Sequence, residues 1–167
     1  MMGFLLVGDR NSGKSTLVYE AASKMNFSCG GIISIPVISG VEKVGTDALD
    51  IMTGKAIALA RTHGLDGIAV GRYILSTRGL KYGKDAIYRA VGKCKLVVID
   101  EFGPLEMDGE GMTEAAEYAF ENSNVLVVMR RKLKDEFIEK YRMYEFKIID
   151  ANEVNASGLA KIIQDAL

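Results

Sequence analysis

An unbroken apolar run, GFLLV at residues 3–7, stops at a glycine-rich turn, and behind it KSTLVYEAASKM places Leu17, Ala21 and Met25 at helical spacing. Strand, loop and helix are predicted there. GGIISIPVI (30–38) reads as a second strand, which Pro36 assigns to a sheet edge or a strand end because it lacks an N–H. DALDIMTGKAIALAR (47–61) divides into two short strands turned at Thr53-Gly54-Lys55, and GIAVGRYILS (67–76) is one further candidate strand. Gaps this short predict antiparallel neighbours.

The rhythm changes from Lys84. DAIYRAVGK (85–93) is a short helix candidate, and KLVVID (95–100) is an apolar, β-branched run of the kind buried on both faces. Helical stripes at Met112, Ala115, Ala116 and Ala119, at Leu133, Phe137 and Tyr141, and at Leu159, Ile162, Ile163 and Ala166 then alternate with the strands NVLVVM and FKIID. Such alternation predicts an α/β fold whose sheet is mostly parallel, with an antiparallel extension over about 32–76. With no repeats and no low-complexity linker, residues 1–167 are expected to form one domain.

Composition narrows the chemistry. Lys plus Arg (21) nearly balance Asp plus Glu (22), so the charge gives no footprint for a nucleic-acid partner, none is expected, and any polyanion must be met locally. Lys132, Lys134, Lys140 and Arg142 read as the solvated face of a helix. Cys29 and Cys94 match no metal-ligand spacing, and the lone His63 has no second imidazole to work with. No stretch of ~18 apolar residues could span a membrane, so a cytoplasmic location is expected. The sequence names no protein partner.

GDRNSGKST satisfies G-x-x-x-x-G-K-[ST] and lies where that motif works, between a buried strand and a helix. Gly8 and Gly13 bound a loop in which Asp9, Arg10, Asn11 and Ser12 turn backbone N–H groups toward phosphate oxygens, and Lys14, Ser15 and Thr16 open the helix whose positive end faces the same place. Lys14 would reach the β- and γ-phosphates, and the Ser15 hydroxyl would ligate magnesium. Arg10 either faces solvent or makes a second contact to phosphate. The metal also needs a carboxylate on a neighbouring strand, and Asp100 ends the buried run Leu96–Ile99 on the ligand edge. Glu101 follows, before a turn at Gly103-Pro104, and is the candidate general base for an attacking water.

On these two motifs the chain resembles the THEP-type nucleoside-triphosphatase family, which includes the human cancer-related nucleoside-triphosphatase. GDRNSGKST matches the family's loop, and VVIDEFGPLE is similar to its Asp-Glu-Ile-Gly-Lys-Met-Glu run, with Asp100, Glu101, Gly103 and Glu106 in register. GGIISIPV and VGRY are weaker echoes. The resemblance implies a P-loop NTPase three-layer sandwich and slow, Mg2+-dependent hydrolysis of ATP, GTP and other nucleoside triphosphates. It assigns the chemistry to Lys14, Ser15, Asp100 and Glu101. Phe102, Pro104, Leu105 and the Ser34-Ile35-Pro36 segment depart from the family pattern, which bears on base preference and rate more than on phosphate chemistry.

Two other readings share the loop. A kinase would need a water-excluding lid, for which STRGLKYGK with Arg72, Arg78, Arg89, Lys81 and Lys84 is the candidate. A nucleotide-switched binding module would need no fast turnover. Arg130 or Arg131, ending NVLVVM on the ligand edge, is a candidate arginine finger, with a pair of solvated charges the plainer reading.

Overall fold

A computed structural model describes residues 1–167 in full. Strand β1 (Gly3–Gly8) is buried along its length and sends Phe4 and Leu6 to one face of the sheet, Leu5 and Val7 to the other. The same alternation splits β7 (Leu96–Ile99) and β8 (Val125–Arg130), so each apolar strand feeds two cores. One core is closed by α1 (Lys14–Lys24) and α6 (Ala156–Ala166) through Val18, Ala21, Leu159 and Ile163. The other is closed by α2 (Thr77–Ala90), α4 (Thr113–Asn122) and α5 (Lys134–Lys140), with the short turn α3 (Pro104–Met107) at its rim. Helices therefore cover both faces, and none is long and apolar enough to cross a membrane.

The remaining strands are β2 (Cys29–Ser39), β3 (Glu42–Asp50), β4 (Ala56–Arg61), β5 (Gly67–Val70), β6 (Tyr73–Ser76) and β9 (Phe146–Asp150). All nine form one sheet in the order β5-β6-β4-β3-β2-β7-β8-β1-β9. Four neighbouring pairs are parallel and four antiparallel, so the sheet is evenly mixed where the sequence pattern predicts a mostly parallel one. β2 belongs to both halves. Its first residues pair with β7 up to Ile32, and beyond them only β3 is beside it. Pro36 lies in that one-sided stretch, where its missing N–H costs no ladder bond.

Two further expectations are corrected. GIAVGRYILS is a hairpin, β5 and β6, because Gly71 turns with φ 58° at the middle of the run. The proposed lid loop STRGLKYGK is the start of α2: the Ser76 hydroxyl accepts the Gly79 N–H at 2.9 Å as an N-cap, and Gly79 and Gly83 are buried against β4 and Met112. Arg78, Lys81, Lys84 and Arg89 lie along a packed helix, whereas Arg72 sits in the β5–β6 turn, paired with Glu42. Lys81 pairs with Asp85 one turn on, and Arg89 with Asp50.

That last contact fastens α2 to the end of β3. Asp50 is fully buried, its Oδ2 2.6 Å from an Arg89 guanidinium nitrogen and its Oδ1 accepting the Met52 N–H at 2.9 Å. Arg89→Met leaves that carboxylate without a counter-charge. We expect a loss of about 2–3 kcal/mol in urea unfolding, at or below the range for breaking a buried pair because the guanidinium is 41 % exposed.

Candidate active site

The turn after β1 is a concave nest of free amides. Asn11 (φ 56°) and Gly13 (φ 79°) both adopt the left-handed conformation, which turns successive N–H groups to one side. Among residues 10–13 only the Ser12 amide is bonded within the protein, to the Asp9 carbonyl at 3.3 Å. The first turn of α1 adds the amides of Lys14, Ser15 and Thr16, which have no partner further back in the helix. Gly8 must lack a side chain, since a Cβ there would run into the Lys14 stem, the Ser12 hydroxyl and Ala151. The Lys14 ammonium bends back onto the loop, 2.6 Å from the Asp9 carbonyl oxygen. Partial burial holds it below its usual pKa, Asp100 and Glu101 pull it up, and Arg130 pushes it down. The nest and its lysine together can take up a polyphosphate. Arg10 stays exposed at the cavity's edge.

Across β8 from this loop, the end of β7 delivers Asp100, 4 % exposed. Its Oδ2 accepts the Ser34 N–H at 2.9 Å and its Oδ1 the Glu101 N–H at 2.8 Å, and the Ser15 hydroxyl lies beside the same carboxylate. Burial, then the Glu101 charge, raises its pKa to about 6, and the Ser15 hydroxyl and the two amides restrain the rise. A loop hydroxyl and a strand carboxylate, two hard oxygen donors, thus stand side by side. Glu101 has φ 54°, a conformation uncommon outside glycine. The turn is imposed from both sides: Asp100 holds the Glu101 amide, and Phe102 is buried against Phe137 and Phe120 while its own N–H donates to Val128. Glu101 consequently points into the cavity, 48 % exposed, with Lys43 of β3 at 3.7 Å.

The structure assigns Glu106 a scaffolding position. Buried to 8 % exposure, it accepts the Gly103 N–H at 3.0 Å and the Met112 N–H at 3.2 Å, which closes the turn that carries Glu101. The two arginines after β8 separate. Arg131 is not free: it binds both Asp150 oxygens at 2.7 and 2.9 Å and reaches Asp9 at 3.3 Å. Arg130 takes part in no ion pair and lines the cavity. Loop, Asp100 turn and antiparallel half enclose one cavity of about 520 Å³, within the range of small-molecule sites. Sequence patterns missed Ser34, Lys43 and Asp150. Only Asp150 carried a signal, an acidic residue ending an apolar strand as Asp100 does.

The family model described as NTPase matches residues 3–164. A nucleoside-triphosphatase THEP1 of Methanosarcina barkeri is 32 % identical over 165 residues, 95 % of this chain and 93 % of the relative. The protein of the same name from Thermotoga maritima is 26 % identical over 168 residues, covering 99 % and 95 %. Two solved structures share the fold. The solution structure of a human cancer-related nucleoside triphosphatase superposes with a TM-score of 0.71 at 19 % identity, and the crystal structure of THEP1 from Aquifex aeolicus with 0.70 at 18 %. Each covers 99 % of this chain and 97 % of the other.

The Arg131 clamp has a measurable signature. Its hydrogen bonds lower the Asp150 pKa to about 2. A depressed carboxylate adds stability that is present above its unfolded value of ~3.9 and is lost as pH falls through the folded one. Carboxyl-carbon NMR should show Asp150 titrating at about 2 in the wild type and returning toward ~3.9 in Arg131→Met. An unmoved titration in the variant would remove Arg131 as the cause.

Proposed function

The chain belongs to the NTPase family, whose curated relatives are nucleoside-triphosphatases, and on that premise we propose that this hydrolase cleaves ATP, GTP and other nucleoside triphosphates to the diphosphate and phosphate, with magnesium as cofactor. The observation that carries the reading is the Ser15 hydroxyl and the buried Asp100 carboxylate placed side by side in one cavity, next to a nest of free amides. We read the fold as the three-layer P-loop NTPase sandwich, with residues 1–167 one catalytic unit.

The residues suit the metal. A hydroxyl and a carboxylate are the hard oxygen donors magnesium prefers, and a carboxylate whose burial disfavours its charge gains from a cation beside it. Magnesium, when bound by Ser15 and Asp100, would offset the charge of the β- and γ-phosphate oxygens. The chain supplies the rest. The loop amides bind the phosphates, and Lys14 exchanges the Asp9 carbonyl for phosphate oxygens. Glu101 orients a water for in-line attack and takes its proton, with Lys43 holding the carboxylate's direction. Arg130, free of ion pairs on the cavity wall, meets charge developing on the transferred group, while Arg131 is committed to Asp150 and Asp9.

Four variants separate these roles. Lys14→Ala should abolish tight binding of a labelled triphosphate, and wild-type affinity there would remove the loop from the site. Ser15→Ala and Asp100→Asn should raise the magnesium concentration needed for half-maximal activity while leaving metal-free nucleotide binding close to the wild type; an unchanged metal requirement in both would place the metal elsewhere. Glu101→Gln should bind normally and turn over on the order of a hundredfold more slowly. Unchanged phosphate release in that variant would make Glu101 a bystander.

A further inference from the structure

The cavity that holds the phosphate loop does not end at Glu101. It continues along the antiparallel half of the sheet, and the strand registers define its floor. Pro36 of β2 opposes Thr46 of β3, Thr46 opposes Ala60 of β4, and Ala60 opposes Leu75 of β6. Directly opposed residues face the same way, so these four form one cross-strand row, and all four line the cavity. Leu80 of α2 and Met112 supply further apolar wall. Polar groups gather toward the Glu101 end. Ser34 and Thr46 are 2 % and 6 % exposed, yet neither side-chain hydroxyl bonds within the protein; only their backbone groups do. No fully enclosed side-chain polar atom of the chain lacks a partner, so the little surface these two hydroxyls keep is surface they turn to the cavity.

Sheet order decides what such a lobe faces. The loop amides cradle the α- and β-phosphates and Lys14 reaches the γ-phosphate. Asp100 and Glu101 stand on β7, two strands from β1, and the lobe lies further in the same direction, over β2, β3, β4 and β6. A triphosphate laid from the loop toward Glu101 leads its nucleoside away, toward β9. Its γ-phosphorus then faces the lobe on the side opposite the leaving diphosphate, where an in-line nucleophile must stand. Water alone needs far less room, and an apolar floor gives it nothing to bind.

We propose that this lobe is an acceptor site, and that the same centre transfers the γ-phosphoryl group to the hydroxyl of a nucleoside-sized alcohol with a flat apolar body. The proposal rests on the reading of Lys14, Ser15 and Asp100 as the triphosphate and metal site. The body lies on the Pro36–Thr46–Ala60–Leu75 row, and Ser34 and Thr46 hydrogen-bond its polar edge. Its hydroxyl oxygen forms a bond to the γ-phosphorus as its proton passes to the Glu101 carboxylate. The bond from that phosphorus to the bridging oxygen breaks, and the electron pair leaves with the nucleoside diphosphate. The products are a phosphate monoester and a diphosphate.

The test uses purified full-length protein, magnesium and γ-labelled ATP, with adenosine, guanosine, cytidine and thymidine as probes, and separates labelled phosphate from labelled ester by chromatography. With at least one probe, labelled ester should form at the expense of phosphate. Ala60→Trp, which fills the floor row, should lower ester formation on the order of tenfold or more and leave phosphate release within about threefold of the wild type. Phosphate release that no probe alters, or that probes inhibit without ester appearing, would overturn the proposal and leave the hydrolase intact. A raised KM for both ATP and GTP in folded Ala60→Trp would overturn it by making the lobe the seat of the base. Should Ala60→Trp fail to fold, the wild-type ester assay decides alone. Wild-type protein that yields neither phosphate nor ester would instead overturn the underlying triphosphate reading.

Discussion

A carboxylate almost out of reach of water, Asp100, is held at the end of β7 by the Ser34 and Glu101 amides, with the Ser15 hydroxyl beside it. Those groups come from three different places: the strand beside it, its own turn, and the helix that follows β1. One buried group therefore brings the glycine-rich loop, the acidic turn and the antiparallel half together at a single wall. Leaving it unpaired would cost far more than any one of these bonds contributes, so the three elements hold a common register. The raised pKa reports that tension, because burial pushes the group toward neutrality while its donors favour the charge.

Electrostatics sorts the surrounding charges by what each can reach. Arg131 is occupied by two acids and braces the loop from behind. Arg130, its neighbour in sequence, faces the cavity with no partner. Glu101 and Glu106 divide in the same way. Glu101 is half-exposed and aimed inward, whereas Glu106 spends both carboxylate oxygens on backbone amides of the turn. A left-handed glutamate is an uncommon conformation, and the burial of Phe102 immediately after it helps enforce it.

Much of this was legible in the sequence. Unbroken apolar runs located β1, β7 and β8, and the loop motif and Asp100, both read from local spacing, line one cavity. What depends on partners far along the chain was not legible. STRGLKYGK looks like a loop on its glycines, yet both are buried in α2 where a side chain would collide with β4 or Met112. Nothing local marks Arg89 as the partner of Asp50, 39 residues away, or Arg131 as the partner of Asp150. GIAVGRYILS reads as one strand because Gly71 can either continue or reverse a chain, and only pairing with β4 settles which. The parallel share of the sheet was overestimated because the helix-strand rhythm after Lys84 was extended to the whole sheet, whereas β2 to β6 pair antiparallel.

The division of the sheet at β2 has a consequence for how the chain reaches its native state. β2 to β6 join by short turns and close contacts near in sequence, which lowers the entropy lost in bringing them together. β1, β8 and β9 meet only after more than a hundred residues have been threaded past them. The antiparallel half is thus the part of the sheet built from contacts near in sequence, and β1, which carries the glycine-rich loop, pairs only with strands more than a hundred residues away, so the position of that loop rests on the longest-range pairings of the sheet.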